Sequence, residues 1–206
     1  MESVHAMPQL INPIPLPLHE LIPGASLFVH ASRLHGRAHI ARTLIHAFLL
    51  TEMNGQQDQS APLWAAIYMH DLARTHDGKC HAHGANAVRQ FGADSGLRAL
   101  WMRGGVRMEH YPEIFTAVTH HARPQELPEQ HPHRRLTALL KDADGLDRVR
   151  INDLNINYLR FPESRRLASF AQWLYDNTPE DHETPDFFER IWNRASDALT
   201  GLIPSV

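Results

Sequence analysis

Apolar residues recur at helical spacing along most of the chain. Ile40, Leu44 and Phe48 follow one another at four-residue steps, which place them on one face of a helix. Segments with this pattern cover residues 31–53, 63–74, 84–91, 95–102, 112–121, 136–149, 163–175 and 185–199. Alternating apolar and polar runs joined by a tight turn, which would indicate a β-hairpin, do not occur. The sequence therefore predicts an all-α fold of about seven or eight helices.

Residues 1–26 break this pattern because they are rich in proline. The five prolines are Pro8, Pro13, Pro15, Pro17 and Pro23. Proline has no backbone N–H and a fixed φ, so this density excludes a regular helix. We expect an extended arm over residues 1–26, lying across the domain or against a partner, and one helical domain over residues 27–206.

The composition narrows the class of protein. Of the 206 residues, 43% are hydrophobic and 21% are charged, which is typical of a globular domain. The 20 basic and 23 acidic residues give a net charge of −3, so we expect no non-specific binding of nucleic acid. No apolar run approaches the roughly 18 residues that span a bilayer, and the first residues lack the pattern of a secretory signal. We therefore expect a cytoplasmic protein with no membrane association.

The counts of histidine and cysteine favour nitrogen and oxygen as metal ligands. The chain contains 16 histidines, whereas Cys80 is its single cysteine. One cysteine excludes an intramolecular disulfide and makes a sulfur-based zinc site implausible. A metal ion in this protein would therefore be held by imidazole and carboxylate groups.

An adjacent histidine and aspartate, His70 and Asp71, end a strongly apolar predicted helix. Burying an imidazole and a carboxylate without partners is costly. Neighbouring helical positions diverge by about 100° around the axis, so one ion lying between them could bind both side chains. The alternative is a frayed helix end at which backbone and solvent satisfy the two groups.

Two further segments contain polar residues within predicted helices that are otherwise apolar. The spacing of His35, His39 and Arg42 predicts that they share one helical face. The alternative interpretation of this face is a stripe of basic side chains on the surface. Asp144 and Asp147 are three residues apart in a leucine-rich predicted helix. A solvated acidic face is the alternative there, and the neighbouring leucines argue against it.

These segments, in this order, resemble the HD superfamily of metal-dependent phosphohydrolases. The family pattern is a histidine followed by x-x-Arg, then a His-Asp pair, then an aspartate in an Ala-Asp-x-Leu context. Residues 31–150 carry the resemblance, with His39 preceding Arg42 as the first element. The resemblance implies an HD-like helical bundle and one divalent metal ion. The implied metal ligands are His39, His70, Asp71 and Asp144.

The implied ligand set suits a catalytic ion. Two histidines and two carboxylates leave coordination positions open for water and substrate. Mn²⁺, Fe²⁺, Ni²⁺, Co²⁺ or Zn²⁺ fits such a set better than Mg²⁺ does. His83 and His121 could create a second metal site, as in the dinuclear members of the family, and the resemblance favours His121 over His120 as the inward residue. The short spacing from Asp71 to His83 leads us to expect one ion rather than two.

The proton-transfer residue departs from a common pattern of the family. Several nucleotide-directed members carry a glutamate three residues after the metal-binding aspartate, and Arg74 stands there in this chain. The role of acid or base then falls to Asp77, His81 or His83. The candidate catalytic residues are Asp77, His83 and Arg74. The candidate substrate-binding residues are Arg42, His121 and Lys141, the cations being suited to phosphate oxygens.

The resemblance implies metal-dependent hydrolysis of a phosphate monoester or phosphodiester in a small, nucleotide-like molecule. Two alternatives stay open at this point. One is other metal chemistry of the HD fold, either oxidative cleavage by two irons or hydration of a nitrile. The other is a non-catalytic nucleotide-sensing domain that signals through the proline-rich arm. A homo-oligomer formed through that arm is also compatible with the sequence.

Overall fold

The computed structural model describes residues 8–201, and all regular structure in this part of the chain is helical. The α-helices are α1 (Arg37–Met53), α2 (Ser60–Met69), α3 (His83–Phe91), α4 (Ser95–Arg103), α5 (Tyr111–His120), α6 (Arg134–Leu146), α7 (Pro162–Arg166), α8 (Ala168–Asp176) and α9 (Phe187–Leu199). Short 3₁₀-helices occupy Leu18–Glu20, Ala25–Leu27, Gln57–Gln59, Met108–His110, Asp147–Ile151 and Ile156–Tyr158. The predicted all-α fold is confirmed. Residues 1–7 of the predicted arm and 202–206 of the predicted domain lie outside the described residues.

Helix α1 forms the centre of the fold. Every residue from Arg37 to Thr51 is buried, because apolar and small side chains occur all around this helix rather than on one face. It packs against α2, α6, α8 and α9. Among the described helices, neither α1 nor any other is long and apolar enough to cross a membrane.

Helix α5 packs against α2, α3 and α6. This arrangement, together with the contacts of α1, brings five helix termini to one end of the core. They are the first turn of α1, the end of α2, the start of α3, the end of α5 and the last turn of α6. Polar side chains placed at these five termini can therefore meet although they are far apart in sequence.

Residues 8–36 contain no α-helix, as the prolines require. The buried apolar side chains of this segment are Leu10, Ile14, Leu16, Leu21 and Ile22, and all belong to the main hydrophobic core. The indole N–H of Trp64 donates to the backbone oxygen of Leu21 at 2.8 Å. The segment is thus part of the packed structure.

The helix predicted from residue 31 begins six residues later than expected. The hydroxyl oxygen of Ser32 accepts the backbone N–H groups of Leu34 and His35, at 3.0 and 2.8 Å, and this holds the chain in a turn before α1. The prediction that His35 shares a helical face with His39 was therefore wrong, because His35 precedes the helix.

The helix predicted over residues 163–175 is two helices, α7 and α8, with Leu167 between them. Asp142 accounts for the position of α7, because its carboxylate accepts the hydroxyl of Ser164 at 2.7 Å and the backbone N–H of Phe161 at 2.9 Å. These bonds attach the start of α7 to α6 before the chain turns into α8.

Candidate metal centre

Four imidazoles and two carboxylates meet at the end of the core where the five helix termini converge. The six residues are His39, His70, Asp71, His83, His121 and Asp144. The four histidines and Asp71 are each at most 7% exposed. The Asp144 side chain is 28% exposed, so it marks the side from which solvent and a substrate can approach.

The first cluster forms around His39, in the first turn of α1. Its Nε2 atom lies 3.2 Å from Nε2 of His70, the residue that follows α2. The same atom lies 3.3 Å from Oδ1 of Asp144 and 3.5 Å from Oδ2 of Asp71. His39, His70 and Asp71 could hold a metal ion, with Asp144 beside them.

The second cluster uses the other oxygen of Asp71. Oδ1 of Asp71 lies 3.1 Å from Nε2 of His83, and that nitrogen lies 2.7 Å from Nε2 of His121. These three buried residues also could hold a metal ion. The Asp71 carboxylate therefore stands between two groups of imidazoles, although the short spacing from Asp71 to His83 had led us to expect a single ion.

Hydrogen bonds at Nδ1 fix the tautomers of three of these rings. Nδ1 of His70, His83 and His121 each approaches a backbone carbonyl oxygen. The acceptors are Ile67, Cys80 and Val118, at 2.7, 2.6 and 2.6 Å respectively. Because a carbonyl oxygen only accepts, the ring proton is on Nδ1 and the lone pair is on Nε2.

The lone pairs of facing Nε2 atoms make the clusters suitable for a cation. Two acceptors 2.7 Å apart, as in His83 and His121, repel each other unless a positive charge lies between them. Adding a second proton to one ring would also remove this repulsion. Protonation is unfavourable here, however, because burial lowers the pKa of His121 to about 3 and also lowers the pKa of His70. A divalent metal ion fits these donors chemically.

The two carboxylates are anionic in this environment. Burial by itself would raise the pKa of Asp71, but the neighbouring His70 and His83, together with the guanidinium of Arg74, hold it well below its usual range. Burial likewise opposes ionisation of Asp144, and the neighbouring His39 and His70 outweigh it and lower the pKa. Anionic oxygens and neutral imidazoles are the forms in which these side chains bind metals.

Arg42 forms an ion pair beside the clusters and does not point into them. Its guanidinium binds the carboxylate of Asp147 through Nε and Nη2, at 2.5 and 3.0 Å. Asp147, fully buried, also accepts a hydrogen bond from Nδ1 of His39 at 2.7 Å. The sequence placed Asp147 on the same face as Asp144 but gave it no role at the site.

Arg74 and Asp77 lie on the loop after α2, and only Arg74 contacts a cluster. Nε of Arg74 donates to Oδ1 of Asp71 at 2.8 Å. The half-exposed Asp77 instead accepts from Ser32 at 2.5 Å and lies 3.2 Å from Nδ1 of His35. The His35 ring lies edge-on to that of His39, with ring centroids 6.1 Å apart, so Asp77 is linked to the clusters through His35.

Lys141 does not reach the clusters. Its ammonium group donates to the backbone oxygen of Gln125 and to Oε1 of Glu126, both at 2.9 Å. His120 also lies outside, partly exposed at the end of α5, whereas His121 points inward. These positions leave Arg74 as the candidate cation nearest to the ligand set.

The described residues thus contain two buried groups, sharing Asp71, that could hold a metal ion. Their donors are nitrogen and oxygen alone, as the single cysteine required. No protein-family model, no curated protein and no solved structure matches this chain.

Proposed function

We propose that this chain is a metal-dependent phosphohydrolase of the HD type, acting on a phosphate monoester or phosphodiester in a small, nucleotide-like molecule. The observation that carries the proposal is the position of Asp71, with one carboxylate oxygen toward His39 and the other 3.1 Å from His83. A buried carboxylate shared by two imidazole groups is suited to bridging a pair of divalent ions.

The ligand assignment extends the one made from the sequence. His39, His70, Asp71 and Asp144 would hold the first ion, and His83 and His121 would join Asp71 at the second. His83 and His121 then serve as ligands rather than as catalytic and substrate-binding groups. Bound ions would supply a Lewis acid for a phosphoryl oxygen and lower the pKa of a coordinated water.

Arg74 is positioned to orient the phosphoryl group. Its Nε is occupied by Asp71 and its Nη1 by the backbone oxygen of Gly78, at 2.8 and 3.3 Å. Nη2 has no partner among the described residues, so it can donate to a phosphoryl oxygen held at the clusters. Arg42 and Lys141 would support the fold around the site instead, because Asp147 and Glu126 neutralise them.

Proton transfer from the attacking water is assigned to the pair formed by His35 and Asp77. Asp77 is exposed and oriented by Ser32, and it holds His35 through Nδ1. Burial lowers the pKa of His35 to about 4, so the ring is neutral near pH 7 and Nε2 carries a lone pair. His35 in turn borders the first cluster, so a water on the solvent side of Asp144 would meet an oriented imidazole that can accept its proton.

The pair of clusters also supports a second candidate function, oxidative cleavage by two irons. Four imidazoles and a shared carboxylate form a donor set that iron accepts as readily as manganese. The two candidates differ in their need for oxygen. Turnover that persists under anaerobic conditions and releases phosphate favours hydrolysis, and turnover that consumes oxygen favours oxidation.

The test begins with metal analysis of the full chain purified without a chelating resin. Phosphate release is then screened over nucleotides and phosphodiesters, with Asp71→Ala as the key variant and His120→Ala as the control on the neighbouring helix. We expect Asp71→Ala to abolish ion binding and phosphate release and His120→Ala to change neither. A fully active Asp71→Ala protein would refute the proposal.

A further inference from the structure

Asp147 is the most heavily bonded side chain beside the two clusters. It lies one helical turn after Asp144, where α6 passes into the 3₁₀-helix. Besides His39 and the two bonds from Arg42, it lies 3.4 Å from Nη1 of Arg150. Each oxygen of Asp147 receives an N–H of the Arg42 guanidinium, which can only donate, so Asp147 is a carboxylate and can only accept.

His39 consequently differs from the other three imidazoles. Its Nδ1 donates to a carboxylate, whereas the Nδ1 atoms of the other three rings donate to neutral backbone carbonyls. A carboxylate behind a histidine fixes the tautomer more strongly and makes the opposite nitrogen a better electron-pair donor. Only the first cluster receives this support.

We propose that Asp147 is a positioning residue that makes the first cluster the tighter of two ion positions. The inference rests on the proposed two-ion site, and it adds an order of filling that the ligands alone do not specify. Asp147 would act through the ring of His39, by holding the lone pair on Nε2 toward His70, Asp71 and Asp144.

A merely structural role is the competing explanation, since Asp147 also neutralises Arg42 and Arg150. Asp142 provides a matched control for that role. It is equally buried, in α6, and pairs with Arg160 at 3.0 Å, but its hydrogen bonds go to residues 160–164 and none to an imidazole. Removing either charge disturbs a buried ion pair, and only Asp147 touches a candidate ligand.

The substitution Asp147→Asn discriminates between these roles through the tautomer of His39. Nε of Arg42 can only donate and lies 2.5 Å from Oδ1, so the amide oxygen takes that position, although Nη2 of Arg42 and Nη1 of Arg150 then lose their acceptor at Oδ2. The new amide group then faces Nδ1 of His39 and forces that nitrogen to accept, which moves the ring proton to Nε2. The other nearby acceptor is Oγ1 of Thr43, 3.3 Å from Nδ1 of His39. A hydrogen bond of that length is too weak to restore the original tautomer.

Nitrogen NMR of the metal-free full chain reads this tautomer directly at a pH high enough to keep the His39 ring neutral, because hydrogen bonds to Asp144 and Asp147 outweigh burial and raise its pKa above 6.5. We expect the His39 proton on Nδ1 in the wild-type protein and in Asp142→Asn, and on Nε2 in Asp147→Asn. A wild-type His39 with its proton on Nε2, or an unchanged tautomer in Asp147→Asn, would overturn the proposal. Because no metal is involved, this result is independent of the proposed function.

Titration with Mn²⁺ or Co²⁺ provides the second readout. We expect Asp147→Asn to weaken the tighter site about 10- to 100-fold and to leave the weaker one unchanged. Asp142→Asn should bind both ions as the wild-type protein does. Equal weakening of both sites by Asp147→Asn would refute the proposed order, whereas a wild-type chain that binds no divalent ion would refute the proposed function.

Asp147→Asn could lose its fold because Arg42 would remain buried without a counter-charge. The double substitution Arg42→Gln and Asp147→Asn removes both charges together and avoids that penalty. Circular dichroism selects the folded variant before the titration. The double variant should show the same selective loss at the tighter site, and unchanged affinity there would equally overturn the proposal.

Discussion

Gly84 packs directly against the backbone oxygen of Val118: a Cβ atom at residue 84 would lie 1.9 Å from that oxygen and 3.1 Å from Cε1 of His121. Helix α3 therefore crosses α5 in backbone contact. This crossing brings His83, the first residue of α3, to within 2.7 Å of His121, just after α5. The second cluster thus depends on the absence of one side chain.

The substitution Gly84→Ala should damage the second cluster. Alanine favours a helix over glycine by about 1 kcal/mol, but the clash with backbone moves α3 outward, and we expect a net destabilisation of about 1–3 kcal/mol. The measurement is urea unfolding together with ion stoichiometry. We expect one bound ion where the wild-type protein has two.

Gly24→Ala is the matched control, because a Cβ at residue 24 meets nothing within 4 Å. It should leave both stability and ion stoichiometry unchanged. If Gly84→Ala retains two ions with wild-type affinity, the close approach of α3 and α5 is not what holds the second cluster together.

His46 should make the fold sensitive to acid. It is fully buried on α1, and neither ring nitrogen has a hydrogen-bond partner among the described residues. Burial lowers its pKa from 6.5 to about 4, so between these values the unfolded chain binds a proton that the folded chain does not. The wild-type protein therefore loses stability as pH falls from about 6.5 toward 4.

The test compares the wild-type protein with His46→Leu, which replaces the imidazole by an apolar side chain of similar size. Relative to wild type, the variant should gain about 2 kcal/mol between pH 8 and pH 5, measured by urea unfolding. The exposed His76, replaced by Gln, is the control and should follow the wild-type curve. A difference between His46→Leu and wild type that does not vary with pH would contradict the prediction.

Local pattern was sufficient to predict the helices and the segments that meet at the site. The apolar period identifies the central helix, and polar residues such as His39 within that helix and Asp71 after the apolar α2 stand out because their burial without partners would be costly. Each of these signals lies within one short segment of the chain. The sequence therefore predicts them without knowledge of tertiary contacts.

The partners of the charged residues could not be predicted in the same way. Arg42 binds Asp147 and Lys141 binds Glu126, and the sequence offered several acceptors of equal merit for each cation. The approach of His83 to Asp71 depends on the crossing at Gly84, which is a contact between backbones. Such choices are decided by how helices pack in space, and helical periodicity carries no information about them.

Asp142 lies outside the clusters and should be costly to remove. It is fully buried, and its acceptor bonds attach residues 160–164 to α6. Asp142→Ala leaves two backbone N–H groups and the Ser164 hydroxyl without their acceptor, while Arg160 keeps its bonds to Glu126. We expect a loss of about 3–5 kcal/mol in the free energy of unfolding, because buried donors without a partner are costly. The exposed Asp153, which pairs with Arg148, should cost at most about 1 kcal/mol when replaced by Ala. Equal costs in urea unfolding would show that the Asp142 bonds do not stabilise the fold.

Removal of bound ions should lower the melting temperature in a way that identifies the ligands. An ion present at 100 times its dissociation constant stabilises the folded chain by about 2.7 kcal/mol, which in a domain of this size corresponds to about 5–10 °C. We expect a chelator to lower the melting temperature of the wild-type protein by this amount or more. His121→Ala removes a ligand from the second cluster alone, so its chelator-dependent shift should be smaller than that of wild type but not zero. His120→Ala, which changes the adjacent residue outside the cluster, should keep the full shift, and a smaller shift in His120→Ala than in His121→Ala would reverse the assignment of the inward histidine.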